Sequence, residues 1–261
     1  MIDCGRLSYA GGLRSQERAM ADAASWREAR RSGAAAPLGT LLLLEHDPPV
    51  ITVSRRAGAR DHLLAGADTL ARLGVEVAET DRGGDITYHG PGQLVAYPIV
   101  DLNALGWGLH RYMRELESAV IRAVGRFGLA GHRDACATGV WLGGDPASRA
   151  GCAPGDSAGA DRGAKVCALG VRVRRWITMH GLALNVTTNL DHFGLIVPCG
   201  LAGRRVTSME RELGAACPRM ADVKAALADE LVAGLGVEPP RAGPTGETVD
   251  ALSGATHADK G

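Results

Sequence analysis

The stretch KVCALGVRVRRWITMHGLALNV, residues 165–186, decides how this chain folds. It holds two apolar runs, Lys165 to Arg174 and Thr178 to Val186, parted by Arg175-Trp176-Ile177. Runs of that length, rich in valine and leucine and closely spaced, read as neighbouring strands of one sheet. A lysine opens the first strand, although the chain otherwise prefers arginine: of its 29 basic residues only Lys165, Lys224 and Lys260 are lysine. One reading is a strand-end lysine that snorkels to water. The other is an amine required to give up its proton, which arginine cannot do. In a regular strand Cys167 shares a face with Lys165, which makes it a reserve nucleophile.

Working outward, Leu94 to Val100 reads as a buried strand. Leu38 to Glu45 and Val50 to Ser54 read as two more, joined by the turn residues Asp47-Pro48-Pro49. Shorter strands are expected at Val75 to Ala78 and Gly139 to Leu142. Helices are expected from Leu13 to Arg31 and from Asp68 to Leu73, and on the spacing Leu109, Met113, Leu116, Val120, Val124 and Phe127. Thr207-Ser208-Met209-Glu210 fits a capping box for a short helix ending at Gly214, and Met220, Val223, Leu227 and Leu231 mark a last helix. Strands and helices in this irregular order predict an α+β fold, a single domain on a mixed β-sheet flanked by helices. That domain spans residues 1–237; residues 238–261 have the composition of a disordered tail, and Gly143 to Gly163 that of a loop.

Composition narrows the function. Acidic and basic residues balance at 29 each, so no overall field draws the chain to nucleic acid or to an anionic membrane. No apolar run reaches the roughly 18–20 residues that cross a bilayer, and the start lacks the pattern of a signal peptide. A cytoplasmic protein with reduced thiols is the expectation for its six cysteines. No ligand spacing supports a metal, and neither a dinucleotide fingerprint nor a P-loop is present. Gly155-Asp156-Ser157-Ala158-Gly159 copies a nucleophile elbow but lacks its strand and helix flanks, and Asn185-Val186-Thr187 is a glycosylation triplet without meaning in the cytoplasm.

Two further segments carry chemistry. Arg82-Gly83-Gly84-Asp85-Ile86-Thr87-Tyr88-His89, continuing to Gln93, places glycines among polar and aromatic side chains. That pattern suits a binding loop, although a plain glycine-rich turn shares it. In Ile196-Val197-Pro198-Cys199-Gly200-Leu201 a cysteine sits on a turn between proline and glycine rather than in an apolar period, which marks Cys199 as the best nucleophile.

Taken in order, RGGDITYHGPGQLVAYPIVDL from Arg82, KVCALGVRVRRWITMHGLALNV from Lys165 and IVPCGLAGRRVTSM from Ile196 resemble the lipoyl(octanoyl) transferases. The resemblance covers roughly Leu38 to Gly214. It implies the catalytic fold shared with biotin and lipoate protein ligases. The activity it implies moves an octanoyl group from acyl carrier protein to a lysine on lipoyl domains. Those domains belong to the E2 subunits of 2-oxoacid dehydrogenases and to the glycine cleavage H protein. By resemblance Cys199 forms the thioester and Lys165 activates it. The acyl pocket then falls on Arg82 to His89, on Ala168-Leu169-Gly170 and on Gly181-Leu182-Ala183. No cofactor is implied, because the acyl group arrives on phosphopantetheine. Three departures stand out: Cys167 where a small residue is usual, the long loop from Gly143 to Gly163, and Ser54 in place of a glycine. An ATP-dependent lipoate ligase of the same fold and a silent carrier-binding module are the competing readings. Arg172, Arg174, Arg175, Arg204 and Arg205 are candidates for a docking patch toward acidic carriers, or else a solvated strand face.

Overall fold

The computed structural model describes residues 1–145, 161–197 and 204–236, which form two sheets and the helices that cover them. The strands are β1 (Ile2–Leu7), β2 (Gly39–His46), β3 (Val50–Ser54), β4 (Glu76–Thr80), β5 (Ile86–His89), β6 (Gln93–Val100), β7 (Val140–Leu142), β8 (Ala164–Arg174), β9 (Ile177–Asn185) and β10 (Arg205–Val206). The α-helices are α1 (Tyr9–Arg31), α2 (Ala67–Leu73), α3 (Leu102–Leu105), α4 (Leu109–Gly125), α5 (Met209–Leu213) and α6 (Met220–Gly234).

The larger sheet runs β1-β2-β6-β9-β8-β10, with β7 also on β8; β1–β2 and β8–β10 are parallel and the other pairs antiparallel. The smaller sheet is β4-β3-β5. This is the mixed α+β architecture that the sequence predicts.

Both faces of the larger sheet are covered, which explains the unbroken run Leu41-Leu42-Leu43-Leu44: a strand buried on both sides needs no polar alternation. Leu41 and Leu43 pack toward α4 and α6, against Leu116, Val120, Leu227 and Leu231. Leu42 and Leu44 face the other way, with Val95, Tyr97 and Ala183, onto Ala19 and Ala23 of α1.

Several boundaries differ from expectation. Helix α1 starts at Tyr9 because Ser8 caps it, its side chain accepting the Gly11 N–H at 3.2 Å. On α4 the buried face includes Tyr112, Leu116, Val120 and Val124, while Leu109 is 47% exposed and Phe127 lies past the helix end. The cap of α5 is Ser208 rather than Thr207: its Oγ accepts the Arg211 N–H at 3.1 Å. Asn185 is buried, donating to the Thr207 carbonyl, which removes the glycosylation triplet from the surface.

One irregularity prepares the site. The β6–β9 ladder runs only from Gln93–Asn185 to Ala96–Leu182. Pro98 lies just past its end, and its carbonyl accepts from Thr178 Oγ1 at 2.7 Å and Tyr112 Oη at 2.9 Å. On β9 that position is followed by His180, a non-glycine residue at φ 58°. The regular ladder ends there, but the two strands stay close: a Cβ on Gly181 would stand 2.2 Å from the Ala96 carbonyl, and Thr178 Oγ1 accepts the Val100 N–H at 2.9 Å.

Candidate active site

A β-bulge places Lys165. Against β7, Val140 pairs with Cys167 but Trp141 pairs with Lys165, so β8 carries an extra residue at Val166. Val166 and Cys167 both enter the core under α4, which turns Lys165 onto the opposite face, with Ala168 and Gly170. The expectation that Cys167 shares the lysine's face fails for this reason. Cys167 is fully buried, and burial pushes its thiol far up.

Lys165 is 8% exposed. Its Nζ donates to the Thr138 carbonyl at 3.0 Å and lies 4.8 Å from the centre of the Trp141 ring. Arg204 stacks on the same indole at 4.0 Å and is held there by Asp134, at 2.8 Å. Burial pushes the Asp134 carboxyl up, but the Arg204 hydrogen bond, the Cys136 amide and nearby Arg162 outweigh it and hold the carboxyl below the ordinary range. Gly139 is required beside the lysine: at φ 132° it would place a Cβ 2.7 Å from the Cys167 carbonyl and 3.1 Å from Lys165 Cε.

Beyond Lys165 on the same face opens a narrow cleft. Its floor is the β8–β9 ladder, with the pairs Ala168–Ala183, Leu169–Leu182 and Gly170–Gly181. Its roof is the Arg82–Asp85 loop, tied down by the Gly83 N–H to the Val171 carbonyl at 2.9 Å and by Arg82 Nη2 to Thr52 Oγ1 at 2.9 Å. Gly170 lets the roof come close, since a Cβ there would stand 2.7 Å from the Gly83 carbonyl.

The histidines in and behind the cleft are held neutral, beside the charged Arg82 and Asp85 of its lining. Burial, together with neighbouring His46 and Arg82, holds His89 well below the usual histidine pKa. Its Nδ1 donates to Gln93 Oε1 at 2.7 Å, and Gln93 in turn donates to Asn185 Oδ1 at 2.9 Å, leaving His89 Nε2 as an acceptor. Burial lowers His46 to about 4; its Nδ1 faces the Leu7 carbonyl and its Nε2 accepts a hydrogen bond from the Tyr97 hydroxyl at 2.8 Å. Burial also lowers His180, although Asp81 at 3.1 Å opposes the shift.

Of the residues expected to bind substrate, Arg82, Gly84, Asp85, Thr87, His89, Ala168, Leu169, Gly170, Gly181, Leu182 and Ala183 line this cleft. Ile86 and Tyr88 instead enter the core of the smaller sheet, and Gly83 serves through its backbone. Tyr9, Tyr97 and His180 also line the cleft and were not anticipated. Tyr9 lies ahead of the helix expected from Leu13, so no periodicity marks it. His180 stood inside a strand whose regular alternation the structure breaks. Cys199, the elbow look-alike at 155–159 and the tail from 238 lie outside the described residues. Cys136 is disulfide-bonded, contrary to the expectation of reduced thiols, while Cys4, Cys167 and Cys217 are free. The five arginines do not make one patch. Arg172 pairs with Asp81, Arg204 lies half-buried on Trp141, and Arg205, opposite Ala164, is about 30 Å from Arg174 along β8 at 3.3 Å per residue. Among the described residues no helix is long and apolar enough to cross a membrane.

Residues 22–232 match the lipoyl protein ligase A/B catalytic domain. An octanoyltransferase of Myxococcus xanthus is 44% identical over 225 residues, 86% of this chain and 56% of that protein. One of Porphyromonas gingivalis is 45% identical over 212 residues, 81% of this chain and 39% of its own length. One of Acidobacterium capsulatum is 44% identical over 220 residues, 82% of this chain and 80% of that protein. The chain thus spans about half or less of the first two. Among solved structures, a bi-partite lipoate protein ligase from Thermoplasma acidophilum superposes with a TM-score of 0.58 at 17% identity, covering 90% of this chain and 83% of that one. A lipoate-protein ligase A bound with ATP gives 0.57 at 16%, covering 91% and 84%. At that identity the likeness is one of fold.

Proposed function

The chain belongs to the lipoyl protein ligase A/B catalytic-domain family, and from that premise we propose that it is an octanoyltransferase working through a cysteine thioester. The donor is octanoyl acyl carrier protein. The acceptors are lysines on the lipoyl domains of 2-oxoacid dehydrogenase E2 subunits and on the glycine cleavage H protein. The observation that carries the reading is the bulge at Val166, which turns the one amine of the site onto the face of a cleft floored by small and apolar residues.

The chemistry balances without a nucleotide. The Cys199 thiol loses its proton to Lys165, and its sulfur attacks the octanoyl carbonyl. A new C–S bond forms, the bond to the phosphopantetheine sulfur breaks, and that sulfur leaves with the proton from Lys165. The acceptor lysine's amine then attacks the same carbonyl. An amide C–N bond forms, the C–S bond to Cys199 breaks, and the amine's proton passes through Lys165 back to the Cys199 sulfur. A free thiol of pKa near 8.5 is only a few per cent thiolate at neutral pH, so a base beside it is worth about 1.4 kcal/mol for each pKa unit of depression. Seven buried carbons of the acyl tail contribute roughly 5–6 kcal/mol at about 0.8 each, and neutral histidines around them avoid setting a charge against the chain.

Mixing the protein with octanoyl acyl carrier protein and no ATP, followed by intact-mass measurement, should show one octanoyl adduct that is absent in Cys199→Ser. Acylation that appears only with ATP would favour a ligase, and binding without any mass increase a silent carrier-binding module.

A further inference from the structure

We propose that Glu117, a buried carboxylate on α4, is a positioning residue for Lys165 that works through the peptide joining Thr138 to Gly139. The inference rests on the octanoyl-transfer reading and adds to it the group that seats the base. In a trans peptide such as this one the C=O and the N–H point opposite ways. The Thr138 carbonyl accepts from Lys165 Nζ at 3.0 Å, and the N–H of the same peptide, on Gly139, donates to Glu117 Oε1 at 3.1 Å. One peptide plane therefore couples a carboxylate to the amine.

Packing does not call for an anion here. Glu117 is 1% exposed, and taking a carboxylate out of water is costly until hydrogen bonds offset it. Those bonds all bear on the lysine's seat. Glu117 Oε2 accepts Arg114 Nη1 at 2.8 Å and Arg133 Nε at 3.1 Å, so the carboxylate grips the loop at Arg133 and again at Gly139, on either side of Thr138. An apolar side chain could fill the space but could not polarise the peptide. An N–H given to an anion makes the carbonyl of its own amide a stronger acceptor. The Thr138 carbonyl then holds a cationic donor more firmly than a neutral one, and Lys165 becomes that donor when Cys199 yields its proton. Glu117 and Lys165 also meet at Cys167: burial pushes its thiol far up, Lys165 opposes the shift and Glu117 adds to it. Arg204 shares the Trp141 ring with the lysine and is tied to Asp134, with Arg162 at 3.7 Å from that carboxylate. His110 and Arg114 line the groove outside Thr138. Arg114 and Arg133, with side chains 44% and 38% exposed, are screened by water and offset Glu117 only in part.

The test is the pH profile of kcat/KM for acyl-enzyme formation from octanoyl acyl carrier protein, followed by intact mass. The reactive dyad shares one proton between sulfur and amine; it gains a second at the acid limb and loses the first at the basic limb. A nearby anion holds protons on. Glu117→Gln, which can still accept the Gly139 N–H, should therefore move both limbs about half a pH unit lower and reduce the maximum about three- to tenfold. In a Lys165→Ala background, measured near pH 9, the same substitution should change the rate less than about twofold, because the residue through which it acts is gone. Arg114→Gln removes an offsetting cation from the exposed side and should move both limbs higher at low salt; it decides the matter where Glu117→Gln fails to fold. The proposal is overturned by a downward shift of less than about 0.3 unit in folded Glu117→Gln, by no upward shift in Arg114→Gln, or by a loss of about twofold or more in the Lys165→Ala background, which would make Glu117 a structural residue only. A wild-type protein that forms no thioester at any pH overturns the octanoyl-transfer reading instead, and the positioning role with it.

Discussion

Lys165 stands directly across the β7–β8 ladder from Trp141, with its Nζ 4.8 Å from the centre of the indole ring. Arg204 shares that ring at 4.0 Å, so one buried aromatic face positions both side chains. A desolvated cation–π contact is worth about 2 kcal/mol. Trp141→Phe, which keeps a π-face, should retain most of the octanoylation rate, and Trp141→Leu should lose about tenfold or more. Single-turnover acylation of both variants checks this; equal losses in the two would reduce the indole to packing.

Charge alone should not replace the amine. Lys165→Arg keeps a cation at the bulge but cannot accept a proton at working pH, so it should fall with Lys165→Ala by roughly 10²–10⁴ in acylation rate. The rate at raised pH distinguishes the cause. A pre-ionised Cys199 recovers part of the rate in Lys165→Ala as pH climbs toward 9, whereas a lysine serving only to bind would show no such recovery.

How far the sequence could be read follows from which rules local structure obeyed. The helix of Leu116, Val120 and Val124 was legible because its one buried face leaves a period, and the strands at 38–45, 94–100 and 165–186 because burial on both faces leaves unbroken apolar runs. Strand β1 was not, since Ile2–Leu7 pairs only with β2 at a largely exposed edge and has no apolar alternation to show. Strand β5 was concealed by the glycines on either side of Ile86–His89. At the site, residue types were readable but directions were not. One extra residue at Val166 reverses Lys165 relative to Cys167, and His180, at φ 58°, joins the cleft lining from within a strand. Neither a bulge nor a positive φ at histidine has a compositional signature.

Gly139 offers a test of how tightly the lysine is seated. A Cβ there meets the Cys167 carbonyl at 2.7 Å and Lys165 Cε at 3.1 Å, at a backbone angle that side chains avoid. Gly139→Ala should cost about 1–3 kcal/mol in unfolding free energy and should depress acylation by more than that stability loss explains. Denaturant unfolding and turnover at a temperature where the variant is fully folded separate the two effects.

The two candidate cysteines should part company. Cys167 faces the α4 core with its thiol pushed far up by burial, so Cys167→Ala should still form the octanoyl adduct, at a stability cost of about 1 kcal/mol. Cys199→Ser should form no thioester. An adduct that vanishes in Cys167→Ala and survives in Cys199→Ser, seen by peptide mapping, would exchange their roles.

The neutral histidines predict an acid limit. His46 has no exposed surface, and its ring contacts Tyr9, His89 and Tyr97, with no carboxylate among those partners. Burial holds it at about 4, against 6.5 in an unfolded chain. Between those values the unfolded state carries a proton that the folded state refuses, so stability rises with pH across the window and falls as pH drops from 6.5 to 4. A shift of that size amounts to about 3 kcal/mol at 1.36 kcal/mol per unit, fully lost below the folded value. His89 and His180 are lowered in the same direction, so the total slope exceeds what His46 supplies alone. The comparison that isolates His46 is therefore wild type against His46→Gln, with unfolding free energy measured from pH 7 to pH 4. The variant should be less stable at pH 7, where it loses a packed imidazole and the Tyr97 hydrogen bond, yet lose less on acidification. Parallel curves would mean that His46 titrates normally and that the cleft admits water where the packing excludes it.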